Sequence, residues 1–210
     1  MIKKATNTRV LKKKKSLLRL NQVQKELILG TIIGDGCLIT SRSGKAARLQ
    51  IRHNIKHKAY VEWKYSMLQN WVLTPPREDT HNNSWYFRTF SHLELMQIKR
   101  KFYNDGKRVI PLQIAEVFTS PLSLAVWLMD DGNGYPHYKG FRISTYGFGL
   151  EGNLRLKACL KANFSLDPTV FSDSKGYQLL IRKKDANELA SLVSPYVVDC
   201  MKYKFITLTP

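Results

Sequence analysis

Two aspartates stand out by what surrounds them. Asp35 closes the run Leu27-Ile-Leu-Gly-Thr-Ile-Ile-Gly, and Asp131 closes Leu124-Ala-Val-Trp-Leu-Met-Asp. Glycine follows each, as Gly36 and Gly132. A carboxylate can hold a hard cation through oxygen or carry a proton. A base follows each acid at the same distance, 73 residues: Arg108 after Asp35 and Lys204 after Asp131. A guanidinium or ammonium can offset negative charge that develops on a substrate. The aspartates themselves lie 96 residues apart. An acid-then-base pair at one spacing, met twice, points to a diverged repeat.

The elements that must position these residues read the same way in both halves. Each apolar run begins with a helix signal: Asn21 as N-cap for the first, Ser120-Pro121 for the second. Gly36 and Gly132 sit where a left-handed C-cap takes glycine. Alternating segments at Cys37–Arg42 and Ala47–Arg52 read as a hairpin, and Tyr60, Trp63, Met67, Leu68 and Trp71 mark a helix over His57–Val72. Pro75-Pro76 marks a loop, Trp85–Phe90 a strand and His92–Tyr103 a helix. In the second half, Gly140–Tyr146 is strand-like and Leu150–Asn163 helical. Thr169–Ser172 and Tyr177–Arg182 are strands, and Asp185–Leu192 is a helix stopped by Pro195. A first strand near Tyr135–His137 is poorly marked. The expected fold class is α/β (α+β), with two pseudo-symmetric αββαββα halves at 21–110 and 121–210 and a linker at 111–120.

Composition narrows the partner. There are 34 Lys+Arg against 16 Asp+Glu, a formal net charge of +18 over 210 residues. A polyanion, most commonly nucleic acid, is the simplest counterpart. Residues 1–20 hold eight of these cations (Lys3, Lys4, Arg9, Lys12, Lys13, Lys14, Lys15 and Arg19) and no acid. They read as a DNA-contacting arm, without the apolar core and cleavage site of a secretory signal. No apolar run is long enough to span a membrane. Cys37, Cys159 and Cys200 are odd in number and scattered, which fits packing residues in a reducing cytosol or organelle matrix. Five histidines show no metal-ligand spacing; His53-Asn54 matches a fragment of the HNH nuclease motif whose remainder is missing.

Two Leu-rich helices ending in Asp-Gly, about 100 residues apart on a basic chain, resemble the LAGLIDADG homing endonucleases of the monomeric, two-motif kind. Ser123-Leu-Ala-Val-Trp-Leu-Met-Asp-Asp-Gly132 is similar to that family's second motif, and Trp71-Val-Leu-Thr-Pro-Pro and Met201-Lys-Tyr-Lys also resemble this branch. The resemblance implies that the motif helices pack side by side across a pseudo-two-fold axis, with Gly30 and Gly34 allowing close approach. Val126 and Asp130 depart from that small-residue pattern. The packing would bring Asp35 and Asp131 together at helix C-termini, where the dipole and mutual repulsion disfavour both charges. Divalent cations between them would resolve this; oxygen ligands completed by water and phosphate suit Mg²⁺, with Mn²⁺ as a substitute. Asp35, Asp131, Arg108 and Lys204 are then the catalytic set.

The same resemblance assigns base reading to the strands, over a long double-stranded DNA site. In the first half, Arg48, Gln50 and Arg52 alternate with apolar neighbours, and Arg88 lies on the Trp85–Phe90 strand. In the second half the candidates are Arg142, Ser144, Tyr146, Gln178 and Arg182. The expected activity is site-specific cleavage of both DNA strands by an intron-encoded enzyme acting as a monomer, in a bacterial or archaeal cytoplasm or an organelle. The rivals are an RNA maturase that helps an intron splice and a DNA-binding regulator without catalysis. Paired acids favour the nuclease, because binding alone does not need them.

Overall fold

The structure is a computed structural model that describes residues 9–135 and 140–208. A basic helix, α1 (Arg9–Leu17), leads into α2 (Gln22–Ile33). Asn21 caps α2 through a full capping box with Gln24. From Leu27 onward nearly every residue of α2 is buried, so this helix belongs to the interior. The first half continues with β1 (Cys37–Thr40), β2 (Ala47–Asn54), α3 (Lys58–Leu68), β3 (Arg77–Asp79), β4 (Ser84–Arg88) and α4 (Leu93–Phe102). A short ribbon follows, β5 (Tyr103–Asn104) and β6 (Lys107–Arg108), then the one-turn helix α5 (Ile114–Val117).

The second half repeats the order: α6 (Pro121–Asp131), β7 (Gly132–Tyr135), β8 (Gly140–Ile143), α7 (Gly149–Phe164), β9 (Thr169–Asp173), β10 (Gly176–Ile181) and α8 (Ala186–Val193). A run of 3₁₀ turns over Asp199–Leu208 ends the described chain. Both sheets are antiparallel and share one topology, β1-β2-β4-β3 and β7-β8-β10-β9. Helices α3 and α4 cover one face of the first sheet, and α7 covers one face of the second. In α6 every residue from Leu122 to Asp130 is buried. Helices α2 and α6 pack against each other along their length and form the spine between the halves.

Several expectations need correction. Gly36 and Gly132 have no left-handed backbone; Gly132, at φ −83°, caps α6 in an extended conformation. Their need is space: a Cβ on Gly36 would lie 2.3 Å from Thr31 Cγ2, and one on Gly132 2.2 Å from Phe141 Cε1. The second half's first strand starts at Gly132, directly after the acid; positions 136–139, including His137, lie outside the described residues. The alternation from Gly140 stops at Ile143, and Tyr146 belongs to a 3₁₀ turn. Within the 111–120 segment, Ile114 and Phe118 are buried in the common core. Of the N-terminal arm, Arg9–Leu17 is helical and Leu18 and Leu20 are buried.

The candidate active site

Close contact between α2 and α6 sets the site. A Cβ on Gly30 would stand 2.4 Å from the Ser123 carbonyl, and one on Gly34 would stand 2.5 Å from Asp130 Cβ. Only glycine fits at these two crossings. Ser123 Oγ donates to the Glu26 carbonyl at 2.8 Å, tying the same two helices. Asp35 and Asp131 therefore emerge at the same end of the spine. The Asp35 side chain is 48% exposed, while Asp131 is half-buried in a cleft of about 290 Å³ with Arg108, Ser144 and Phe148.

Both acids resist ionisation. Partial burial, and then the Asp130 carboxylate, pushes Asp35 up to about 6, although Lys64, Lys204 and Arg108 act the other way. Burial, followed by the Asp35 and Asp130 charges, pushes Asp131 up to about 8. Burial is the main cause for both and repulsion between the carboxylates comes second, so a divalent cation bound beside them would favour their charged forms.

The bases are anchored to the ends of the motif helices. Arg108 sits on the β5–β6 ribbon, whose turn places Asp105 and Gly106 at φ 48° and 77°. That is the left-handed pair a tight hairpin turn requires. Its Nη1 donates to the carbonyls of Ile32, at 3.1 Å, and Gly34. Lys204 Nζ donates to the carbonyls of Met129 at 2.6 Å and Asp130 at 2.7 Å. These carbonyls lie in the last turn of a helix and have no partner within it. Each base is held by its own half's helix yet leans across the axis. Arg108 stacks over Phe148 of the second half at 5.9 Å and shares the cleft with Asp131. Tyr203, next to Lys204, stacks on His57 of the first half at 6.0 Å. Each base also acts on the other half's acid: Lys204 favours the charged form of Asp35 more than Arg108 does, and Arg108 favours that of Asp131 more than Lys204 does. Burial lowers the Lys204 ammonium's affinity for its proton despite the acids around it.

Behind the acids lies a cluster that sequence reasoning did not find. Asp130 turns inward, across the axis. Lys64 Nζ, fully buried on α3, donates to both its oxygens at 2.8 and 2.9 Å, and Tyr60 donates to Oδ1 at 2.9 Å. Asp130 Oδ2 also accepts the backbone N–H of Asp35 at 3.2 Å. One side chain therefore orients the backbone of the first acid while being the covalent neighbour of the second. His53 lies alongside, its ring nitrogens 3.5 Å from Asp35 Oδ2 and 3.6 Å from Asp130 Oδ1. Burial, and then Lys64, pushes His53 down to about 4, so it is neutral. Signals for the cluster were present: Tyr60, Lys64 and Leu68 share one helical stripe, and a cation on a buried stripe needs an acid partner. By strand alternation His53 falls on the inward face with Ala47, Leu49 and Ile51.

The candidate readers lie on the sheet faces away from the helices. On β2, Ala47, Leu49 and Ile51 are buried, while Arg48, Gln50 and Arg52 alternate with them and are only partly buried. Arg88 Nε donates to Gln50 Oε1 at 2.9 Å across the β2–β4 pair. Arg52 is tied to Asp79 at 2.5 Å, and Arg52, Arg77 and Arg88 surround the Tyr86 ring. In the second half Arg142 occupies the register position of Gln50, and Ser144 and Arg182 are exposed. Gln178 does not match its expected role: it is fully buried, and its Nε2 donates to Asp173 Oδ2 at 2.6 Å. Tyr146 donates to the same oxygen at 2.8 Å.

Two like αββαββα units, fused helix to helix with one acid from each at the shared end, define a single-chain, pseudo-two-fold nuclease architecture. The profile of the LAGLIDADG DNA endonuclease family matches residues 25–189, and the chain belongs to that family. It is similar to the DNA endonuclease I-ChuI of Chlamydomonas applanata, 28% identical over 89% of this chain and 96% of that protein. It is 32% identical to the protein RecA of Mycobacterium gastri over 89% of this chain, and spans about half the length of that RecA (48%). Among solved structures, the homing endonuclease I-WcaI bound to its DNA recognition sequence superposes with a TM-score of 0.87 and 26% identity. That match covers 97% of this chain and 95% of that one.

Proposed function

We propose that this DNA endonuclease hydrolyses one phosphodiester bond in each strand of a long double-stranded site, using divalent cations, Mg²⁺ by preference, held by Asp35 and Asp131. The observation that carries this reading is the meeting of the two acids at one end of the α2–α6 spine, both pushed toward protonation and both flanked by anchored bases. Such cations, when bound, activate the attacking water and stabilise the leaving oxygen. Asp35 and Asp131 supply the charged oxygen ligands. Asp130, the other carboxylate within reach, is saturated by Lys64 and Tyr60 and stays behind the site.

Arg108 and Lys204 present fixed positive charge to the phosphate as it becomes more negative. Arg108 cannot release a proton at working pH, so it acts as a charge and not as a base. Arg48, Gln50, Arg52, Arg88, Arg142, Ser144 and Arg182 form the face for base edges and backbone. Tyr146 and Gln178 support that face through Asp173. Both motifs lie in one chain, so the site is complete in a monomer. No helix among the described residues is long and apolar enough to cross a membrane.

The test starts by selecting bound DNA from a randomised library in Ca²⁺. The selected duplex is then incubated with Mg²⁺, with Mn²⁺ and with chelator. Defined double-strand cuts in Mg²⁺, none with chelator, are expected. Tight specific binding with no cutting in either Mg²⁺ or Mn²⁺ would overturn the reading in favour of a regulator or an RNA-splicing role.

A further inference from the structure

The imidazole of His53 lies between two carboxylates without hydrogen-bonding to either. Its Nδ1 is 3.5 Å from Asp35 Oδ2, and its Nε2 is 3.6 Å from Asp130 Oδ1. Both separations are too long for a hydrogen bond. The side chain is 7% exposed, and Nε2 is buried with no hydrogen-bond partner. Asp35, His53 and Asp130 each offer an atom within 4.8 Å of the others. They are not equal as ligands. Both oxygens of Asp130 are engaged by Lys64, and Oδ1 by Tyr60 as well. Its Oδ1 faces Nε2 at 3.6 Å, a contact longer than a hydrogen bond whose negative charge favours the tautomer with its proton on Nε2. The Nδ1 lone pair then points at Asp35 Oδ2, so that two acceptors confront each other across 3.5 Å. Two ligands that each stand about 2.1 Å from one ion are about 3.0–3.5 Å apart at ordinary coordination angles.

We infer that His53 is a nitrogen ligand to the cation held by Asp35, faced from behind by Asp130, and that among the described residues the Asp131 side of the site has no such ligand. This rests on the reading of Asp35 as a cation ligand. A carboxylate behind a histidine behind a metal is a common device for fixing the ring. The asymmetry appears when positions are counted on from the paired residues, because β2 continues through His53 while β8 ends at Ile143. Gln50 pairs with Cys37, two residues after Asp35, and His53 lies three residues further along. Arg142 pairs with Asn133, two residues after Asp131, and the residue three further is Thr145. Thr145 is buried and bonded to Asn153. A nitrogen ligand suits transition-metal cations better than Mg²⁺ or Ca²⁺, so the position beside Asp35 should accept Mn²⁺ or Co²⁺ more readily than the position beside Asp131 does. One cation position, beside Asp35, is thereby made chemically distinct from the other.

The experiment is pulsed electron paramagnetic resonance on Mn²⁺ added to untagged protein bound to its selected DNA, with calorimetry on the same samples. The wild type should show coupling of Mn²⁺ to a histidine nitrogen. Asp131→Asn should keep it, and His53→Gln should lose it, with Mn²⁺ affinity at one site falling about 10- to 100-fold. Melting temperature and Ca²⁺-supported DNA binding of His53→Gln serve as controls for folding. Wild-type protein without nitrogen coupling overturns the inference whatever the variant does, as does coupling unchanged in His53→Gln. If instead Asp35→Asn leaves all Mn²⁺ binding intact, the assignment of Asp35 itself has failed.

Discussion

The two halves share a topology and differ in what they bury at the axis. Helix α2 meets its partner with Gly30 and Gly34, and α6 answers with Ser123, Val126 and Asp130. The first half's covering helix, α3, turns Tyr60, Val61, Lys64 and Leu68 inward. The second half's, α7, turns in Gly152, Asn153, Leu156, Cys159, Leu160 and Phe164, with no charge among them. A glycine in one half thus makes room for an aspartate from the other, and a lysine from the first half neutralises it. The duplicated unit carries its acid and its base in both halves, and its interior has become a lock that fits one way. A buried ion pair of this kind adds little net stability against an apolar pair of equal size, but losing one member is costly.

That asymmetry can be broken at its centre first. Lys64→Met leaves the Asp130 charge buried without a counterion and should destabilise the protein by about 3–5 kcal/mol. Lys64→Met combined with Asp130→Asn should recover most of the loss. Urea unfolding of the two variants measures this; a single-variant loss under about 1 kcal/mol would mean that the pair is effectively solvated. The two bases come next. Arg108→Ala and Lys204→Ala should each slow cleavage about 10- to 100-fold, with little loss of binding, and should favour nicking of opposite strands. Single-turnover rates on strand-labelled DNA decide it, and equal slowing of both strands by both variants would reduce the bases to backbone contacts.

A smaller effect concerns pH. Asp35 and Asp131 are raised from an ordinary 3.8 to about 6 and about 8. Between pH 4 and 8 the folded protein therefore holds protons that the unfolded chain has released, and the contribution of these groups to stability falls as pH rises. Metal-free wild type should lose melting temperature relative to the Asp35→Asn/Asp131→Asn double variant over that interval. Cation affinity should rise over pH 6–8, as ligands shed protons. A parallel pH course for both proteins would contradict the shifts. The smallest expected change is in the arm. Replacing Lys12, Lys13, Lys14 and Lys15 by Ala should flatten the salt dependence of binding, without altering site preference. The log–log slope should fall by about 0.9 for each DNA phosphate that the arm no longer neutralises. An unchanged slope would place the arm away from the DNA.

Much of this was legible in the residues, for physical reasons. The paired runs ending in Asp-Gly located both motif helices and both acids, because full burial demands an unbroken apolar run and the site demands an acid at its end. The alternation in Ala47–Arg52 gave the orientation of β2. What failed was whatever depended on tertiary neighbours. Gly36 and Gly132 are required by Thr31 and Phe141, which no local turn signal reveals. Strand β7 escaped because Gly132-Asn-Gly has no alternation to read. The ribbon carrying Arg108 escaped although Asp105-Gly106 is a strong hairpin signal. Gln178 had the right periodicity and the wrong neighbour, Asp173. The action of Arg108 and Lys204 across the axis follows from how the halves pack, which equal spacing along the chain cannot express.

The most direct measurement is strand-resolved cleavage and gel-shift on one selected duplex, for wild type, Asp35→Asn and Asp131→Asn, in Mg²⁺ and then in Ca²⁺. Both variants keep side-chain size and remove one charge. Cleavage should fall by orders of magnitude in each, as it does when a metal-held transition state loses its ligand. Binding in Ca²⁺ should hold or tighten, since a negative charge beside the phosphates is gone. Cutting at the wild-type rate by both variants would contradict the assignment of the site.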